Sequence, residues 1–134
     1  MPHTLLLADD SVTIQRVIEL TFADEDVRVV AVSNGEDAIA FVDRTPPDIV
    51  LADVGMPGRS GYNLLSQCRE DRAYDGVAFV ICSSESENRY IIEALKAGAT
   101  SYLVKPVNEA MFKEHLQKVL SWIERRNASV QRTA

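Results

Sequence analysis

The chain has 134 residues, which is room for one compact domain and not two. Apolar residues make up 46% of it and charged residues 25%, interspersed along its length, which argues against a disordered chain. Acidic residues outnumber basic ones 20 to 14, and the formal charge of -6 disfavours nucleic acid or an anionic membrane as a direct partner.

The first residues, Met1 to Thr4, lack the basic and long apolar regions of a signal peptide, so a cytoplasmic location is expected. Thr4 to Ala8 reads as a strand, and after Asp9 and Asp10 the apolar residues Ile14, Val17, Ile18 and Phe22 recur at helical spacing. Val27 to Val32 is the second strand, and Ala38, Ile39 and Val42 mark the second helix. Asp48 to Ala52 is the third strand, followed by a helix on Leu64, Leu65 and Cys68 that Ser60 can cap. Val77 to Cys82, far too short to span a membrane, is the fourth strand. The fourth helix carries Ile91, Ile92 and Leu95, with Ser84 and Glu87 as a capping-box pattern and Gly98 as a left-handed stop. Ser101 to Val104 is the fifth strand, and Phe112, Leu116, Val119, Leu120 and Ile123 mark a fifth helix capped by Asn108. Each helix is expected to turn one face to the core. One domain over residues 1–126 is expected, with the polar, aperiodic residues 127–134 a frayed tail or the start of a linker to an output domain. The two cysteines, Cys68 and Cys82, lie in apolar patterns and make neither a disulfide framework nor a zinc site; both read as reduced core residues.

Alternating strands and helices specify an α/β chain with a parallel sheet, and near-continuous hydrophobicity puts helices on both faces. The expected arrangement is a doubly wound, flavodoxin-like five-stranded sheet in order 2-1-3-4-5, which sets strands one and three side by side at its centre. Ligands of such sheets bind beyond the carboxyl ends of the strands, where this chain carries Asp9, Asp10 and Asp53. Three converging carboxylates repel one another by roughly 1 to 4 kcal/mol per pair at about 4 Å, so they call for a proton or a cation. Mg²⁺ suits such a set, because it takes oxygen ligands and is usually held by one or two carboxylates, waters and a phosphate. Ser83 and Lys105 sit at the ends of strands four and five, and the Lys105-Pro106 bond is an ordinary place for a cis peptide.

Asp9-Asp10, the segment Asp53-Val54-Gly55-Met56-Pro57-Gly58-Arg59-Ser60-Gly61, Ser83 and Lys105-Pro106 resemble, in order and spacing, the motifs of the response-regulator receiver domains of two-component signalling. The resemblance runs from about Thr4 to Arg126, and residues 97–106 look like the family's fifth-strand signature. It implies a phosphoprotein in which Asp53 accepts a phosphoryl group as an aspartyl phosphate. The donor would be a sensor histidine kinase, a histidine phosphotransfer protein or a small acyl phosphate. It also implies Mg²⁺, or Mn²⁺ in its stead, held by Asp10, by Asp9 directly or through water, by Asp53 and by the backbone carbonyl of Gly55. Lys105 would neutralise charge on the transferring group and Ser83 would donate to a phosphate oxygen. Gly55 and Glu85 fall at the positions that tune phosphoryl lifetime in the family. Ser83 and Tyr102 would form the switch, altering the surface of helix four, strand five and helix five for a downstream protein or a second copy of the chain. Such a protein is a switch that promotes its own phosphorylation and dephosphorylation rather than an enzyme.

Three alternatives compete with this reading. A mononucleotide-binding protein needs a phosphate-cradling loop after strand one, where Asp9 and Asp10 would repel the phosphate. A receiver-like module that only binds proteins has no need of the five chemical residues present here. A phosphatase of the dehalogenase type would carry an Asp-x-Asp pattern after strand one, and Asp9-Asp10-Ser11 does not match it.

Overall fold

In a computed structural model, which describes residues 3–55, 61–71, 74, 76–106 and 108–133 with side chains as far as residue 125, β-branched and leucine-rich runs form the strands. These are β1 (His3–Ala8), β2 (Val27–Val32), β3 (Ile49–Asp53), β4 (Ala78–Ser83) and β5 (Ser101–Val104). The helices between and after them are α1 (Val12–Thr21), α2 (Gly35–Arg44), α3 (Gly61–Glu70), α4 (Asn88–Lys96) and α5 (Glu109–Thr133). All strand pairs are parallel and the order is β2-β1-β3-β4-β5, as the sequence leads one to expect.

The period of two along each strand divides the core. Leu6, Ala8, Val50, Ala52, Phe79 and Ile81 face α2, α3 and α4, where Ala38, Val42, Leu64, Leu65, Cys68 and Ala94 are buried against them. Leu5, Leu7, Ile49, Leu51, Val80, Cys82 and Leu103 face the other way, onto Ile18 of α1, Phe22 just after it, and Phe112, Leu116, Val119 and Ile123 of α5. The central strands β3 and β4 are buried almost throughout, whereas the edge strands β2 and β5 are mostly half-buried.

Helix ends follow local chemistry, with some departures from expectation. Asn108 Oδ1 accepts from Met111 N at 2.9 Å, and Gly98 has φ 108°, the left-handed stop after α4. Ser11 and Asn34 also cap helices, accepting from Ile14 N at 3.3 Å and Asp37 N at 2.8 Å. The Ser84–Glu87 capping box does not form: α4 begins at Asn88, and Glu87 makes no side-chain cap bond. The Glu85 carbonyl, which a helix starting at Ser84 would offer to its own fourth residue on, accepts the Tyr102 hydroxyl at 2.8 Å instead. Nor does the apolar set of α4 pack into the core as a whole, since Ala94 is its buried residue, Ile91 is half-buried, and Ile92 and Leu95 are exposed. Ser60 lies outside the described residues. Helix α5 runs on past Arg126 to Thr133 through a stretch that holds no Gly or Pro and includes the good helix formers Ala128, Gln131 and Arg132.

At the end of the sheet away from the helix α4 N-terminus, Arg69 on α3 donates to three backbone carbonyls, those of Gly98, Tyr74 and Val77, each at 2.9 Å. One guanidinium thereby joins the last turn of α3, the entry to β4 and the loop after α4. Cys68 and Cys82 are both free and buried. Burial pushes their thiols up to about 11 and about 12, respectively. A thiol whose folded value is raised holds its proton through neutral pH and contributes stability that is lost only as pH rises through that folded value. At about pH 8, then, a thiol-modifying disulfide reagent is expected to leave both cysteines of the native chain unreacted and to titrate both in urea. Rapid reaction of either without denaturant would contradict their burial.

Candidate functional site

The register of the sheet assembles the site. Ala8 pairs with Ala52 across β1 and β3, so Asp9, one residue past β1, stands beside Asp53, the last residue of β3. Asp53 pairs in turn with Cys82, and Ser83 with Val104, which brings Lys105 to the same edge. The main chain closes the edge with bonds from Asp9 N to Val32 O, Val54 N to Cys82 O and Lys105 N to Ser83 O. The Lys105-Pro106 peptide is cis.

Asp9, Asp10 and Asp53 each present a carboxylate oxygen, and the three oxygens lie within 4.8 Å of one another. Lys105 Nζ is 2.9 Å from Asp53 Oδ1 and 3.6 Å from Asp9 Oδ2. Asp9 is 2% exposed, and its Oδ1 accepts from Ser11 N at 2.9 Å. Burial, reinforced by the charges of Asp53 and Asp10, raises the Asp9 pKa against the opposing pull of Ser11 N–H and Lys105. The folded state thus holds that proton more tightly than the unfolded chain. The associated stability is present below the ordinary carboxylate range and is lost as pH rises through the folded value. For Lys105, burial pulls the pKa down, but the hydrogen bond to Asp53 and the charges of Asp9 and Asp53 outweigh it and the net shift is upward. The lysine is a cation at neutral pH.

Three carboxylates against one ammonium leave a formal excess of two negative charges in a partly buried pocket. The donors are all oxygen, and the Asp10 carboxylate accepts no hydrogen bond among the described residues. Hard donors, excess charge and an unpaired carboxylate fit a divalent cation such as Mg²⁺. Gly55 lies against the Asp53 carboxylate: a Cβ built there would stand 3.7 Å from Asp53 Oδ2.

Ser83 is placed differently. Asp53 shares a row with Cys82, so the period of two puts Ser83 on the opposite row, with Phe79 and Ile81. Its hydroxyl oxygen accepts from Glu85 N at 3.1 Å, a bond that leaves its own proton free to donate. The Glu85 carbonyl accepts from Tyr102, so the two expected switch residues, Ser83 and Tyr102, are joined through the backbone of one residue. Sequence reasoning singles out Glu85 for its side chain; its backbone role has no signal in residue type. Beside Lys105 a cavity of about 420 Å³ opens between Ser11, Ile14, Ser84 and Pro106.

A parallel α/β sheet with an acidic pocket and a paired lysine at the carboxyl ends of its strands defines the class of receiver proteins. The family model for the response regulator receiver domain matches residues 5–117, and the chain belongs to that family. It is 35% identical over 116 residues to the chemotaxis protein CheY of Listeria monocytogenes, covering 85% of this chain and 95% of that protein. It is 30% identical over 125 residues to the transcriptional regulatory protein AfsQ1 of Streptomyces coelicolor, covering 93% of this chain but 54% of AfsQ1, so the chain spans about half of that relative. The solved structure of the chemotaxis response regulator CheY4 of Vibrio cholerae is similar with a TM-score of 0.84 at 27% identity, over 89% of this chain and 99% of that one. Receiver domains of this family bind Mg²⁺ in an acidic pocket and interact with histidine kinases and downstream targets.

Gly61, the first residue of α3, packs directly on the site's backbone, since a Cβ there would fall 2.8 Å from the Asp53 carbonyl oxygen and 3.1 Å from its carbon. Backbone cannot swing aside as a side chain can. Gly61→Ala is therefore expected to destabilise the fold by roughly 1–3 kcal/mol in urea denaturation, despite the better helix propensity of alanine. A neutral or stabilising result would show that α3 can withdraw from Asp53.

Proposed function

We propose that Asp53 is the phosphoacceptor of a Mg²⁺-dependent cytoplasmic switch, and that the reading rests above all on the three carboxylates brought together with Lys105 on Asp53. A carboxylate oxygen of Asp53 attacks the phosphorus of a phosphohistidine or a small acyl phosphate, and the bond from phosphorus to the leaving nitrogen or oxygen breaks with its electron pair leaving on that atom. When bound, Mg²⁺ supplies charge neutralisation for the phosphoryl oxygens. Asp9, Asp10, Asp53 and the Gly55 carbonyl are the residues that would hold it.

Lys105 leaves its contact with Asp53 for a phosphoryl oxygen, keeping its charge at the place where negative charge gathers. The cavity between Ser11, Ile14, Ser84 and Pro106 gives the donor room beside that lysine. Ser83 donates its free hydroxyl proton to the phosphoryl group and, in turning, releases Glu85 N. The loop between β4 and α4 then shifts, and Tyr102 with it, which alters the surface of α4, β5 and α5 offered to a downstream protein or a second copy of the chain. The protein turns over only its own phosphoryl group and is in that sense a switch, not an enzyme.

Two measurements test this reading. Acetyl phosphate with Mg²⁺ is expected to add one phosphoryl mass to the intact chain, Asp53→Asn to abolish the addition, and omission of Mg²⁺ to suppress it. A phosphoryl group mapped to another residue of the wild-type chain would overturn the assignment of Asp53. Beryllofluoride, which mimics the phosphoryl group, is expected to shift the amide resonances of Glu85, Tyr102 and α4 along with those of Asp9, Asp10 and Asp53. Changes confined to the three aspartates would refute the switch.

A further inference from the structure

The acidic pair leaves β1 just where the sheet stops supplying hydrogen bonds, and a side chain from α1 takes over. Asp9 N still reaches Val32 O at 3.1 Å, but the Asp9 carbonyl accepts instead from Gln15 Nε2 at 2.7 Å. The same nitrogen donates to Ser33 Oγ, just past β2, at 3.2 Å. A backbone carbonyl only accepts, so the amide group facing Asp9 is the donor end of Gln15. The main chain closes the circuit: Ser11 N donates to Asp9 Oδ1 at 2.9 Å, and Gln15 N donates to Ser11 O at 3.0 Å. The residues on either side of Asp10 are thus both tied to Gln15, while the Asp10 carboxylate itself is exposed and, among the described residues, accepts no hydrogen bond.

We propose that Gln15 is a positioning residue for the divalent-cation site, fixing the Asp9-Asp10 turn so that both carboxylates are presented toward Asp53 before the ion arrives. This rests on the Mg²⁺ reading of the acidic pocket. The physical case is one of preorganisation. Three like charges favour splaying apart, and although Asp9 is buried, the exposed Asp10 side chain has little packing to oppose that motion. Two hydrogen bonds from one neutral amide resist it without adding charge to the pocket, and the anchor at Ser33 ties the turn to the neighbouring β2 end. Gln15 touches neither the ion nor the phosphoacceptor; it acts through the Asp9 backbone.

Mn²⁺ binding, read as loss of the free-ion electron paramagnetic resonance signal and competed with Mg²⁺, tests the proposal on the metal alone. Gln15→Leu keeps the side chain's approximate shape and removes both donors, and it is expected to weaken Mn²⁺ binding by about tenfold or more. Circular dichroism of the metal-free variant checks that it folds. If it does not, Gln15→Asn, one methylene too short to span Asp9 and Ser33, is read in the same way. Wild-type binding with a folded variant that binds within about twofold of it would overturn the role of Gln15 and leave the metal site standing. Absence of Mn²⁺ binding by the wild-type chain would sink the metal site and the role of Gln15 with it.

Discussion

Repulsion among carboxylates at the carboxyl edge of the sheet is the constraint around which this molecule is arranged. The register between β1 and β3 sets the backbone of Asp9 beside that of Asp53, because it is fixed by the apolar rows below them, Leu5 and Leu7 against Ile49 and Leu51. Hydrophobic packing therefore holds in place an electrostatic arrangement that is unfavourable by itself. Lys105 relieves part of it from the neighbouring strand and Ser11 N–H part of it from the turn. What is left unrelieved is an excess of negative charge that a cation would offset. Such a site is stabilising only in company, which is why its charge excess is better read as capacity than as a defect in the fold.

The fold and the gathering of Asp9, Asp10, Asp53 and Lys105 were legible in the sequence because both depend on periodicity and strand order. A period of two and the order 2-1-3-4-5 suffice to bring those residues to one edge, with no knowledge of any side-chain contact. The features that sequence hid are those in which backbone atoms act. Glu85 joins Ser83 to Tyr102 through its N–H and its carbonyl, groups every residue but proline has. Gly61 carried a visible signal, a glycine at the start of a helical pattern, but the reason for it is the Asp53 carbonyl against which it packs. Ser11 and Asn34 had the right residue type immediately before a helix and could have been found as caps.

Helix α4 shows how pattern and packing come apart. Its apolar residues recur at helical spacing, yet only Ala94 is buried while Ile92 and Leu95 face outward. Periodicity reports that a helix has an apolar side, not what that side meets. The capping-box pattern did not form either: α4 starts at Asn88, and the Glu85 carbonyl accepts from Tyr102 of β5. Both departures fall on the segment between β4 and β5, the least embedded helix of the fold and the one nearest to the proposed switch.

The Arg69 clamp gives that helix a mechanical character. Its three bonds, one of them to the Gly98 carbonyl, bolt the carboxyl end of α4 to α3 and to the root of β4. The opposite end hangs from Glu87 and the loop that Ser83 and Tyr102 hold by one neutral bond each. A rod fastened at one end by a charged fork and at the other by two weaker ties is a lever with a fixed fulcrum. A displacement of the loop would be converted into a swing about Gly98, in which the outward-facing Ile92, nearer the loop-held end than Leu95, would sweep the wider arc.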